Sequence, residues 1–80
     1  MENIGRHEEM LRLIGGKIAY YRKLKGFSQK DLACRAGISE SYLKNAERAA
    51  VENLSVITLL DIADGLDVPV EMLLGKEKAQ

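Results

Sequence analysis

Five polar residues in the stretch 39–48, SESYLKNAER, fall on one side of a helical repeat: Glu40, Ser41, Lys44, Asn45 and Arg48. Tyr42, Leu43 and Ala46 fall on the other side. The outward set combines a carboxylate, a hydroxyl, an ammonium, a carboxamide and a guanidinium, groups that can donate to and accept from polar edges and can meet anions. It is poorly suited to catalysis. His7 is the one histidine, no paired carboxylates converge in an evident pocket, and no phosphate loop of the form GxxxxGK[ST] occurs. No enzyme activity, cofactor or metal site is expected, and His7 reads as a surface residue. The pattern alone also fits two amphipathic helices of an ordinary bundle whose polar stripe is merely solvated.

These residues need elements to hold them. Ser39 is placed to cap the helix that carries them, and Gly37 supplies a left-handed residue that stops the helix before it. That earlier helix has its own cap in Ser28, with Asp31 three residues on to complete a capping box. Its face of Leu32, Ala33 and Ala36 is small enough for a close helix crossing. Cys34 has no resolving partner and reads as structurally incidental. Phe27, just before the Ser28 cap, suits a hydrophobic staple.

Upstream, Ile4, Leu11, Ile14, Ile18 and Tyr21 recur at helical spacing. Gly15 and Gly16 weaken that helix by about 1 kcal/mol each relative to alanine and predict a start or bend near them. Gly26 ends it. Downstream, Ser55 caps a helix whose apolar face is Val56, Leu59, Leu60 and Ala63, broadened by Ile57 and Ile62, with Gly65 as its stop. Pro69 opens a last helix through Val70, Met72, Leu73 and Leu74. No strand signal or repeat is found, so the fold class expected is all-α, a compact bundle of five helices.

Eighty residues allow one domain, without room for a ligand-sensing second one. No apolar run approaches the ~20 residues of a membrane helix, and no signal-peptide pattern opens the sequence, so a cytoplasmic chain away from membranes is expected. Net charge is zero, but residues 17–48 hold eight basic residues against three acidic ones. A basic centre between acidic ends is the asymmetry of a surface that meets phosphate.

The spacing of Gln29, Ala33, Gly37, Leu43 and Ala46 is similar to that of the DNA-binding helix-turn-helix. With Arg22, Gly26, Ser28, Leu32, Glu47 and Arg48 added, the string resembles the family of lambdoid-phage repressors, Cro proteins and small bacterial regulators. This is the Xre/Cro type, which includes restriction-modification controller proteins. The resemblance covers residues 14–74 and implies a lambda-repressor-like domain there, preceded by a helical extension at 1–13 and followed by a polar tail at 75–80. It implies that residues 39–48 form a recognition helix that lies in the major groove of double-stranded DNA. Glu40, Ser41, Lys44 and Asn45 would face bases. Ser28, Gln29, Ser39, Arg48 and Asn53 would meet the DNA backbone, with Gln29 also bracing the recognition helix. Arg22 and Glu47 would form an internal ion pair.

Two departures from the family pattern stand out. A glycine commonly follows the Glu-Arg pair and leads into a basic, proline-containing loop, whereas here Ala49, Ala50, Val51, Glu52, Asn53 and Leu54 occupy that place. The loop loses positive charge and should make fewer phosphate contacts. Glu40 is acidic at a base-facing place, where it can accept from a cytosine amino group.

One small reading helix contacts too few base pairs to specify a site, so the expected function is a transcriptional regulator that binds a pseudo-palindromic operator as a homodimer. Val70, Met72, Leu73 and Leu74 are its expected interface, with completion of the monomer core as the equal alternative. The competing function is a protein-interaction adaptor, for example an antitoxin-like partner binder, that keeps the fold with weak DNA affinity.

Overall fold

The computed structural model describes residues 4–51 and 54–75. Five helices follow one another: α1 Ile4–Leu24, α2 Gln29–Ala36, α3 Glu40–Glu47, α4 Val56–Leu66 and α5 Glu71–Leu74. The described residues hold no strand.

The starts of α2, α3 and α4 follow the predicted chemistry, whereas α5 begins at Glu71, two residues after the Pro69 expected to open it, without a side-chain cap. The Ser28 hydroxyl accepts from the Asp31 N–H at 2.9 Å while the Asp31 carboxylate accepts from the Ser28 N–H at 2.9 Å, a complete capping box. Ser39 accepts from the Tyr42 N–H and Ser55 from the Thr58 N–H, both at 3.0 Å.

The ends of α1 to α4 share one device. A left-handed residue donates to the carbonyl three back and its successor donates to the carbonyl five back, the Schellman arrangement. The left-handed residues are Gly26, Gly37, Ala49 and Asp67. Their successors Phe27, Ile38, Ala50 and Val68 close the longer bonds at 2.7–3.1 Å. Gly65 is therefore not the stop of α4. It lies buried inside the helix, where a Cβ would come within 3.1 Å of the Ala36 nitrogen, and Asp67 makes the turn.

Gly15 and Gly16 also depart from expectation, since α1 runs through both without a new start. Gly15 is buried against the end of α3. A Cβ there would stand 2.5 Å from the Ala46 carbonyl oxygen and 2.7 Å from that of Glu47, so only glycine lets the two backbones approach this closely.

The core joins all five helices through Ile14 and Ile18, Leu32, Ala33 and Ala36, Leu43, then Leu59, Ile62, Ala63 and Leu66, and finally Leu73. Helix α2 packs most extensively on α4, and α1 bridges α3 and α5. The expected apolar face of α4 is corrected: Val56, Ile57 and Leu60 are exposed, and the buried face is Leu59, Ile62, Ala63 and Leu66. Leu73 is 0% exposed and completes the monomer core, while Met72 and Leu74 beside it face solvent and Val70 is half-buried.

Candidate nucleic-acid interface

Helix α3 presents a split surface. Leu43 and Ala46 are buried, Glu40, Ser41, Lys44 and Arg48 are exposed, and Asn45 and Tyr42 are half-buried. The inner pair fixes the helix against the core, so the outer set is held at a defined angle to the rest of the molecule. Asn45 is thus more enclosed than a fully outward position. Its backbone carbonyl accepts the Ala50 N–H that closes the end of the helix.

A polar clamp locks this helix to its neighbours. Arg22 of α1 donates through Nε to Glu47 Oε2 at 2.7 Å and through Nη2 to Glu47 Oε1 at 3.1 Å. Its third nitrogen, Nη1, donates to the Phe27 carbonyl at 3.0 Å. Gln29, in the first turn of α2, donates to the same Glu47 Oε1 at 2.9 Å. One carboxylate therefore ties α1, α2 and α3 together. The Arg22 and Glu47 side chains are only 11% and 8% exposed, so both charges depend on this pairing. The ion pair and the bracing role of Gln29 thus stand in the geometry.

Ser28 spends its hydroxyl on the α2 cap, as Ser39 does for α3; both remain exposed at the helix starts. The Ser28 N–H and hydroxyl hold the Asp31 carboxyl below its ordinary value of 3.8, against a small opposing effect of burial and with help from Lys30 and Arg35. Asn53, the remaining residue expected at a DNA backbone, lies outside the described residues.

The basic centre reads differently in three dimensions. Of its eight cations, Arg22 is absorbed by Glu47, while Lys17, Lys25 and Arg35 reach the backbone carbonyls of Gly75, Asp67 and Gly65. Arg35 also lies over the Phe27 ring, 4.4 Å from its centre. Lys25 and Arg35 stay exposed while making these bonds, and Lys23, Lys30, Lys44 and Arg48 are exposed too. Lys30, in the first turn of α2 beside Gln29, is a candidate phosphate contact that the helical pattern did not single out. Its exposed place in the first turn after the Ser28 cap was the available signal.

The turn that ends α3 has no local signal in the sequence. Ala49 takes φ 59°, the left-handed conformation, in the place where glycine is common in the family. The turn is kept without the residue that adopts it most easily, at a cost of roughly 1–2 kcal/mol.

Comparison with known proteins bears on this geometry. A helix-turn-helix family model matches residues 18–73. The transcriptional regulator SinR of Bacillus subtilis is 42% identical over 65 residues, which are 81% of this chain and 59% of SinR. The chain thus spans about three-fifths of that relative's length. A structure of SinR, described as a master regulator for biofilm formation, in complex with DNA superposes with a TM-score of 0.73 at 44% identity, covering 78% of this chain and 98% of the other. The restriction-modification controller protein C.AhdI of Aeromonas hydrophila gives a TM-score of 0.76 at 33% identity, over 79% and 94% of the two chains.

Proposed function

Since this chain belongs to the helix-turn-helix family of DNA-binding regulators, we propose that it is a sequence-specific transcriptional regulator that reads a pseudo-palindromic operator as a homodimer, with α3 in the major groove. The observation that carries the reading is the division of α3. A buried apolar edge and the Glu47 clamp fix the helix, and an outer edge of four exposed polar side chains is left over. The DNA-bound neighbour of similar fold supports it.

In this reading Glu40, Ser41, Lys44 and Asn45 face bases. Arg48, the capped starts of α2 and α3 at Ser28 and Ser39, and Gln29 meet phosphates, with Lys30 added to them. Asn53, outside the described residues, is assigned to the DNA backbone as well. Homodimerisation uses exposed apolar surface: Met72 and Leu74 of α5 remain candidates, and Leu73 is withdrawn because it has no exposed surface.

Two substitutions test the reading. Asn45 carries a donor and an acceptor in one plane and suits an adenine edge, whereas Arg48 lies near the helix end, where the groove wall rises. Asn45→Ala should weaken the best site, found by selection from random duplexes, by about 1–3 kcal/mol and spare random DNA. Arg48→Ala should weaken all duplexes alike and lower the salt slope by about one. Equal losses on operator and random duplex for Asn45→Ala would remove base reading by α3. Absence of salt-sensitive binding to any duplex would favour the adaptor.

A further inference from the structure

We propose that the outer face of α1 is the seam along which two copies of this chain pair, the two helices running antiparallel. Leu13 of each packs on Tyr20 of the second copy, and Glu9 of each stands beside Lys23 of the second copy. The inference rests on the homodimer reading above and names the surface that reading needs.

Helix α1 has a second apolar row besides the one it buries. Met10, Leu13, Tyr20 and Leu24 are 49–64% exposed, and Lys17 fills the gap between Leu13 and Tyr20. The steps alternate three and four residues, which is the seam of a helix pair. Single exposed apolar residues are ordinary; a row ~21 Å long on one helix face marks an interaction surface. Lys17 keeps its charge but carries it to the end of α5, where its ammonium donates to the Gly75 carbonyl, and its alkyl stem lies in the row. The same bond brings the end of α5, with exposed Leu74, alongside the row.

Charge selects the occupant and the direction. Glu9 flanks one end of the row and Lys23 the other. A parallel copy would put the flank that carries Glu9 and Lys23 on opposite sides of the seam, so that neither would meet an opposite charge across it. An antiparallel copy, turned about the midpoint between Gly16 and Lys17, sets unlike charges together at both ends and carries Leu13 onto Tyr20 twice. Such a face is its own complement, as a two-fold interface requires. Gly16 sits at the turning point, and a Cβ there would meet nothing within 4 Å, so the single chain leaves space at the centre. Gly15, which receives α3, lies on roughly the opposite side of α1 at ~100° per residue, so the seam leaves the recognition helix uncovered.

The test is sedimentation velocity on the full chain over a concentration series, with far-UV spectra as a check on folding. The unaltered chain should dimerise. Leu13→Glu and Tyr20→Glu, both at solvent-facing positions of the single chain, should each keep the helical spectrum and weaken the dimer by about tenfold or more. Glu9→Lys should weaken it less, and adding Lys23→Glu should restore it. Dimers as tight as the unaltered chain's in both glutamate variants overturn the seam, as does a dimer dissociated by Met72→Glu and not by Leu13→Glu. Failure of the charge reversal to restore pairing overturns the antiparallel register. An unaltered chain that stays monomeric even on saturated operator DNA overturns the homodimer reading itself.

Discussion

Where α1 crosses α3, backbone meets backbone at Gly15 and the joint is closed by a nearly buried guanidinium–carboxylate pair. Where α4 crosses α2, the contact is apolar and made of Leu32, Ala33, Ala36, Leu59, Ile62 and Ala63, and a Cβ at Gly65 would meet the Ala36 nitrogen at a looser 3.1 Å. A guanidinium serves this crossing too, but from its rim: Arg35, exposed, donates to the Gly65 carbonyl at 2.6 Å. The two crossings hold the same two-helix unit from opposite sides by different means. An apolar contact degrades gradually as methyl groups are added or removed, because neighbours relax. A buried ion pair, or a carbonyl oxygen lodged against a glycine, has no partial state. The crossing that orients the reading helix is therefore the brittle one, and the crossing that supplies most of the core is the tolerant one.

The largest effect should come from breaking the brittle joint chemically. Glu47→Ala strands the Arg22 guanidinium with little solvent and also releases Gln29, so it should cost about 3–5 kcal/mol in urea unfolding. A loss near zero would mean that water reaches Arg22 and the joint is a surface pair.

Gly15→Ala breaks the same joint sterically, at about 1–3 kcal/mol, because the atoms in the way are carbonyl oxygens of a helix end. Gly16→Ala, one residue on in open space, should instead stabilise by about 1 kcal/mol. Gly65→Ala at the tolerant crossing should fall between the two. Thermal melts of the three variants measure the ordering, and equal shifts for Gly15 and Gly65 would erase the distinction between the crossings.

Ala49→Gly sharpens the comparison at the end of α3. Relief of the left-handed strain, less the added freedom of the unfolded chain, should stabilise by about 0.5–1 kcal/mol. No gain in a melt would mean that the Schellman bonds of Ala49 and Ala50 already compensate.

The smallest effect is that of pH at α2. The Asp31 value is depressed in the folded chain, so its contribution is present above the ordinary carboxylate value of 3.8 and is lost as pH falls through the folded value. Amide exchange in the first turn of α2 should accelerate in that acidic window, and Asp31→Asn should abolish the dependence.

Local chemistry readable along the chain accounts for the starts of α2, α3 and α4, three of the four left-handed stops or their neighbourhood, and the split of α3. Caps, turn residues and helical spacing act within a few residues, and serine at 28, 39 and 55 does its work wherever the chain later packs. The ion pair and the Gln29 brace were legible only through the family resemblance, since nothing in local spacing relates residues 22, 29 and 47. Packing between helices settled which apolar residues remain at the surface and which cations find a carbonyl within reach. Val56 and Ile57 look as buriable as Ile62, and Lys17, Lys25 and Arg35 look as available to phosphate as Lys44. The outcome depends on which neighbouring helix covers each face and which carbonyls lie within a side chain's reach. Gly15 and Gly65 carry the same lesson: a glycine inside a helical pattern reads locally as a break, and only the helix crossing against it makes it a point of close approach.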